Sequence, residues 1–172
     1  SGYSSVEKPE VLTSSHVAFR PVDVKMGPDG ALYIADWYNP IIQHGEVDFR
    51  DPRRDHEHGR IWRITSKGRP MVEPPQIVGA PIPSLIALLR APEQWNRIHA
   101  KRELRKHDRT EVAEALQKAL LAMDAREDDF ENARLEILWT FQTIDAINEP
   151  LLNTLLSSSD HHVRAAAVRV LS

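Results

Sequence analysis

The sequence contains no cysteine. That excludes a disulfide framework, a thiolate metal centre, a cysteine nucleophile and covalent attachment of a c-type haem within these residues. No apolar run approaches the roughly 20 residues that a membrane-spanning helix requires. The N-terminal Ser1-Gly2-Tyr3-Ser4-Ser5 has neither the charged nor the apolar region of a signal peptide. An excess of one charge is missing too. With 22 Lys+Arg against 25 Asp+Glu, net −3, the chain as a whole exerts no attraction on nucleic acid or anionic lipid. A hydrophobic fraction of 41% over 172 residues supplies a core and excludes wholesale disorder.

Glycine and proline are scarce in one half. All seven glycines and eleven of the twelve prolines precede residue 93, and only Pro150 follows. Glycine costs about 1 kcal/mol and proline about 3 kcal/mol inside a helix, so long helices belong to the second half. The composition places a boundary near Gly79, giving segments 1–79 and 80–172.

In the first segment, Val22-Asp23-Val24-Lys25-Met26 alternates apolar and polar residues. Gly27-Pro28-Asp29-Gly30 supplies a turn, and Ala31 to Asp36 runs on, which predicts a β-hairpin. Arg60 to Thr65 predicts a third strand, with Ile61 and Arg63 on one face and Trp62 and Ile64 on the other. The polar stretch 37–59 between strands two and three is far longer than a hairpin needs. Residues 66–83, rich in proline, read as an extended linker.

The second segment predicts helices over 84–89, about 93–106, 109–123, 128–144, 149–156 and from 162 onward. Three of them align: arginine recurs at 97, 134 and 164, a small or aliphatic residue at 100, 137 and 167, and a large apolar one at 104, 141 and 171. Steps of 37 and 30 residues are those of a helix-pair solenoid. Ala100, Leu104, Ile137, Phe141, Ala167 and Leu171 are therefore expected to face inward. Trp95 and Trp139 are expected in the core with them.

The run Asp160-His161-His162-Val163-Arg164-Ala165-Ala166-Ala167-Val168-Arg169-Val170-Leu171 resembles a HEAT repeat, and residues 84–172 resemble about two and a half such repeats. The stretch Phe19-Arg20-Pro21 through Gly27-Pro28-Asp29-Gly30 to Trp37-Tyr38-Asn39-Pro40, with Arg50 to Ile64, resembles the last blade of a bacterial family of membrane-bound dehydrogenases. That family is typical of Planctomycetes and Verrucomicrobia. Its members join a glucose/sorbosone-dehydrogenase-like β-propeller to HEAT repeats and often to a haem-binding cytochrome c domain. The resemblance, over residues 17–172, implies an α+β chain by segment: a partial β-propeller blade followed by an α-solenoid. It further implies an excised piece of an exported, periplasmic or membrane-associated bacterial protein.

The chemistry concentrates in the loop 44–60. Between residues 43 and 64 five arginines meet five acids, a charge-dense and formally neutral stretch. Under the dehydrogenase resemblance, Arg50, Arg53, Arg54 and Arg60 are the candidates for binding pyrroloquinoline quinone, with Ca²⁺ in the parent protein and haem in a separate domain. Planar guanidinium forks suit carboxylate and quinone oxygens. The competing reading is a network that pins the loop by pairing its own charges. His56 and His58 lie on one side of an extended segment. Three roles stay open for them: the base for an alcohol, metal ligands together with His44 and Asp55, or structural residues. Asp36 and Asn39 suit either Ca²⁺ or turn chemistry. Arg97, Lys101 and Arg105 share a helical stripe, read as a solvated face rather than a phosphate-binding ridge. The expected partners are other domains of the parent chain or a protein on the solenoid surface, and no nucleic acid. The leading expectation is a scaffold without activity of its own. The alternative is a quinone-dependent sugar or alcohol dehydrogenase pocket built partly by the loop.

Overall fold

The computed structural model describes residues 5–43 and 45–171. It is α+β: three strands, β1 (Pro21–Met26), β2 (Leu32–Asp36) and β3 (Arg60–Ile64), precede six α-helices among the described residues. These are α1 (Ile82–Ala87), α2 (Gln94–Leu104), α3 (Arg109–Leu121), α4 (Phe130–Thr143), α5 (Glu149–Leu156) and α6 (His161–Val168), with a 3₁₀ turn over Leu88–Arg90. The chain divides into two compact units at Arg69/Pro70, the turn residues Pro28–Gly30 grouping with the second.

In the first unit the strands form an antiparallel sheet in the order β1-β2-β3. The hairpin closes because the Gly27 N–H donates to the Ala31 carbonyl at 2.8 Å, while Gly30 adopts φ +76°, a conformation open to glycine. Register sets Asp36 opposite Arg60 and Ile34 opposite Trp62. β1 is an edge strand, and its apolar Val22, Val24 and Met26 all remain exposed. Ala18, Ala31 and Ile34 are the buried apolar residues described here.

The second unit holds the apolar core. Leu85, Leu89, Leu104, Val112, Leu116, Ile137, Leu138 and Leu155 are almost fully buried. Burying a leucine stabilises by about 2 kcal/mol relative to exposure. α4 is the central helix, lying against α2, α3, α5 and α6. Side-chain caps start three helices. Asp108 accepts from the Thr110 and Glu111 N–H groups, Asn148 from Leu151, and Asp160 from His162.

The linker expectation for 66–83 needs correction at its C-terminal end. Ile77 and Ala80 are buried in the helical core, and the Gly79 N–H donates to Glu103 at 3.0 Å. Two apolar side chains with a hydrophobic slot to fill hold this part in place despite its prolines. The expected inward positions are buried at Ala100, Leu104, Ile137, Phe141 and Ala167, whereas Leu171 is 63% exposed. α6 ends at Val168, so Leu171 lies past the helix whose periodicity would have turned it inward. Trp95 and Trp139 are half-buried and pack on the core.

The stripe of Arg97 and Lys101 is not a solvated face. Both cations close on the buried carboxylate of Glu136, Arg97 Nε at 2.9 Å and Lys101 Nζ at 2.6 Å, tying α2 to α4. Arg105 is exposed.

Candidate functional site

The loop between β2 and β3 is organised around two buried charges. Asp36, at the end of β2, has a side chain wholly removed from solvent. Its Oδ1 accepts from the backbone N–H of Arg20 (2.8 Å) and of Tyr38 (3.1 Å), and its Oδ2 from Arg60 Nε (2.8 Å) and Trp62 Nε1 (2.9 Å). Burial is the strongest single influence on this carboxyl and opposes its charge. The bonds from Arg20, Trp62, Arg60 and Tyr38 together outweigh it and lower the pKa to about 2. The Arg60 guanidinium lies over the rings of Tyr38 (4.6 Å) and Trp62 (4.7 Å). Two carboxylate oxygens have about four lone-pair positions, and here four donors take them. Asp36 therefore serves the fold and not a cation. Asn39 is turn chemistry as well: its Oδ1 accepts from the Ile41 N–H at 3.0 Å. Tyr38, between them, takes φ 57°, a left-handed conformation uncommon for a residue with a side chain.

Arg54 is the second centre, buried to 6% exposure. Its Nε donates to the Asp48 carbonyl (3.1 Å), Nη1 to Ile41 (3.4 Å), and Nη2 to Gln43 (2.6 Å) and Val47 (3.0 Å). An irregular loop must satisfy carbonyls that no ladder serves, and one guanidinium does this for four of them. The arginine–carboxylate network expected from the sequence is thus partly replaced by arginine–carbonyl bonds.

The remaining candidates lie at the surface. Arg53 pairs with Asp51, Nη2 to Oδ2 at 2.7 Å, and holds that carboxyl far below the usual range. The Arg50 N–H donates to Asp48 Oδ1, and Arg50 is exposed. His58 Nδ1 meets Asp55 at 3.0 Å. Asp55 also accepts from the N–H groups of Glu57 and His58, and these bonds lower its pKa. His56, His58, Arg53, Arg54, Asp55 and Tyr38 line one open groove of about 450 Å³. The loop thus brings both histidines and two of the four candidate arginines to one concavity, while Arg60 turns to Asp36. His44 lies outside the described residues. Among the described residues, no group of three or more His, Asp or Glu is placed to hold a metal ion. No helix described is long and apolar enough to cross a membrane.

The Asp36–Arg60–Trp62 cluster was not legible beforehand as a unit. Its one sequence signal is an acid ending one strand and an Arg-x-Trp beginning the next. A family model described as a domain of unknown function (DUF7133) matches residues 2–68, the part that carries the three strands and the long loop. No curated protein and no solved structure matches the chain.

Proposed function

We propose that this chain is the scaffold segment of a larger exported bacterial quinone-linked dehydrogenase, a blade-like β unit followed by HEAT-like helical repeats. In this reading it binds other segments of its parent chain or a partner protein and has no activity of its own. The observation that carries the reading is Arg54. One of the four arginines expected to grip an anionic cofactor is buried and committed to four carbonyls of its own loop. Arg60 is equally committed to Asp36. A quinone carboxylate requires guanidinium edges that are free, so these two residues do not fit a cradle for pyrroloquinoline quinone. On the helical side, support for stacked repeats comes from the five recurrent positions that are buried in register. A location outside the cytoplasm and a haem domain elsewhere in the parent rest on the family resemblance alone.

The groove favours a second reading, in which the loop contributes to a sugar or alcohol dehydrogenase pocket. His58, oriented through Nδ1 by Asp55, would offer Nε2 as a base beside Arg53 and His56. Nucleic-acid binding by the helices has less support, because Arg97 and Lys101 are turned inward onto Glu136.

Titration of pyrroloquinoline quinone with Ca²⁺ into this chain, followed by fluorescence, separates the readings. The scaffold predicts no saturable binding. Saturable binding that is lost in Arg53→Ala and His58→Ala would overturn it in favour of the pocket.

A further inference from the structure

The three arginines at equivalent positions 97, 134 and 164 differ in one respect. Nη1 of Arg97 donates to the carbonyls of Ala91 and Pro92, six and five residues earlier. Nη1 of Arg164 does the same at Ser158 and Ser159, again six and five residues earlier. Arg134, on α4, departs from this arrangement. Among the described residues its guanidinium makes one hydrogen bond, 3.3 Å to Glu131 Oε1, and lies over the Phe130 ring at 5.0 Å. Yet its side chain is only 12% exposed. A guanidinium carries five donors, and those of Arg134 that do not bind Glu131 remain open to solvent or to a ligand.

Arg134 lines a concavity of about 360 Å³ formed by residues in and next to α3, α4 and α5, with Leu120, Met123, Phe130 and Leu151 as apolar wall. Gln117 also lines it; its Oε1 accepts from Asn148 Nδ2 at 2.9 Å, which leaves its amide NH₂ as a second donor. We propose that this concavity binds a small amphipathic carboxylate, its head on Arg134 and its apolar body against Leu120, Met123 and Leu151.

Three features select this ligand class. A guanidinium stacked on a ring keeps its in-plane N–H edges available, and that fork matches a carboxylate. The volume lies within the span of small-molecule sites, and the lining sets an apolar side of Leu120, Met123 and Leu151 beside polar groups, as an amphipathic ligand requires. Glu131, which touches Arg134, repels a dianion such as phosphate more than it repels a single carboxylate. The ligand head displaces Glu131, whose side chain is 40% exposed and whose buried, unpartnered Oε2 gains water when the side chain swings outward.

The probe is octanoate, titrated into the ¹⁵N-labelled 172-residue chain. We expect saturable shifts at the Arg134 Nε–H and at the amides of Gln117, Phe130 and Leu151, with a Kd on the order of 1 mM for a ligand of this size. Octanol, which lacks the charge, binds at least about tenfold more weakly, and Arg134→Gln loses about tenfold in octanoate affinity. Glu131→Gln binds octanoate more tightly, because the competing acid is gone. Absence of saturable shifts, equal binding of octanol, or unchanged affinity in Arg134→Gln would overturn the proposal and leave a guanidinium served by water. If Arg134→Gln fails to fold, the octanol and Glu131→Gln comparisons decide in the same way.

Discussion

Around the long loop of the β unit, the side chains hidden from water are Asp36, Asn39 and Arg54, with Ala18, Ala31 and Ile34 as their buried apolar company. In the helical unit they are mostly aliphatic, and the buried charges Glu103 and Glu136 are each paired with cations. The first region is held by directional bonds to a few ionised groups. The second is held by contact area spread over many residues. Apolar burial is indifferent to pH and tolerant of position, whereas a charge held by hydrogen bonds is sensitive to its protonation and to every donor around it. The two halves should therefore fail under different stresses.

The largest effect is expected where the helical core is emptied. Leu104→Ala removes a side chain with no exposed surface and should cost about 3 kcal/mol, read from chemical denaturation followed by far-ultraviolet circular dichroism. Amide exchange in β1 to β3 should stay unchanged. Loss of protection there as well would mean that the two regions unfold as one, and the contrast between them would collapse.

The ion triad of the helical unit sharpens the comparison, since it is a polar device inside an apolar framework. Glu136→Ala strands Arg97 and Lys101 and should destabilise by about 3 kcal/mol. Replacing all three residues together by methionine or leucine should restore stability or exceed it, because the desolvation of three charges disappears. A triple variant as unstable as Glu136→Ala would show that the charges themselves hold α2 against α4.

The smallest effect belongs to Asp36 and is confined to acid. Its pKa in the folded chain, about 2, lies below the ordinary value of 3.8. Its stabilisation is therefore complete above about pH 4 and is lost as the pH falls through about 2. The amount at stake is about 2 kcal/mol. Near-ultraviolet circular dichroism of the aromatic cluster, measured from pH 5 to pH 1.5, should show a loss in the wild type. In Asp36→Asn this component of the acid transition should be missing. Identical acid transitions in the two proteins would remove Asp36 as the anchor of the loop.

Much of the element order was legible because it depends on local rules. The helix over Glu149–Leu156 follows from Asn148 as cap, Pro150 in the first turn and spaced leucines. The hairpin follows from alternation around Gly-Pro-Asp-Gly. Arg54 was legible as a charged loop residue but not as the loop's centre. Its four partners are backbone carbonyls, and since every residue carries one, no side-chain pattern marks them. The Glu136 triad escaped for a related reason. Arg97 and Glu136 lie 39 residues apart, and only the packing of α2 on α4 makes the basic stripe a partner of one acid. The proline-rich stretch around Ile77 looked extended because proline is a local signal, while the burial of Ile77 and Ala80 is not.

The sequence by itself determined where strands and helices form and which residues recur from helix to helix, because dihedral preferences, caps and apolar periodicity act over a few neighbouring residues. Tertiary structure decided which charges are hidden and what they hold: Asp36 by four donors, Arg54 by four carbonyls, Glu136 by two cations, and Arg134 left facing a cavity. Such choices depend on groups brought together from distant positions. Their energies come from desolvation and bond geometry, and neither quantity exists until the chain has folded around them.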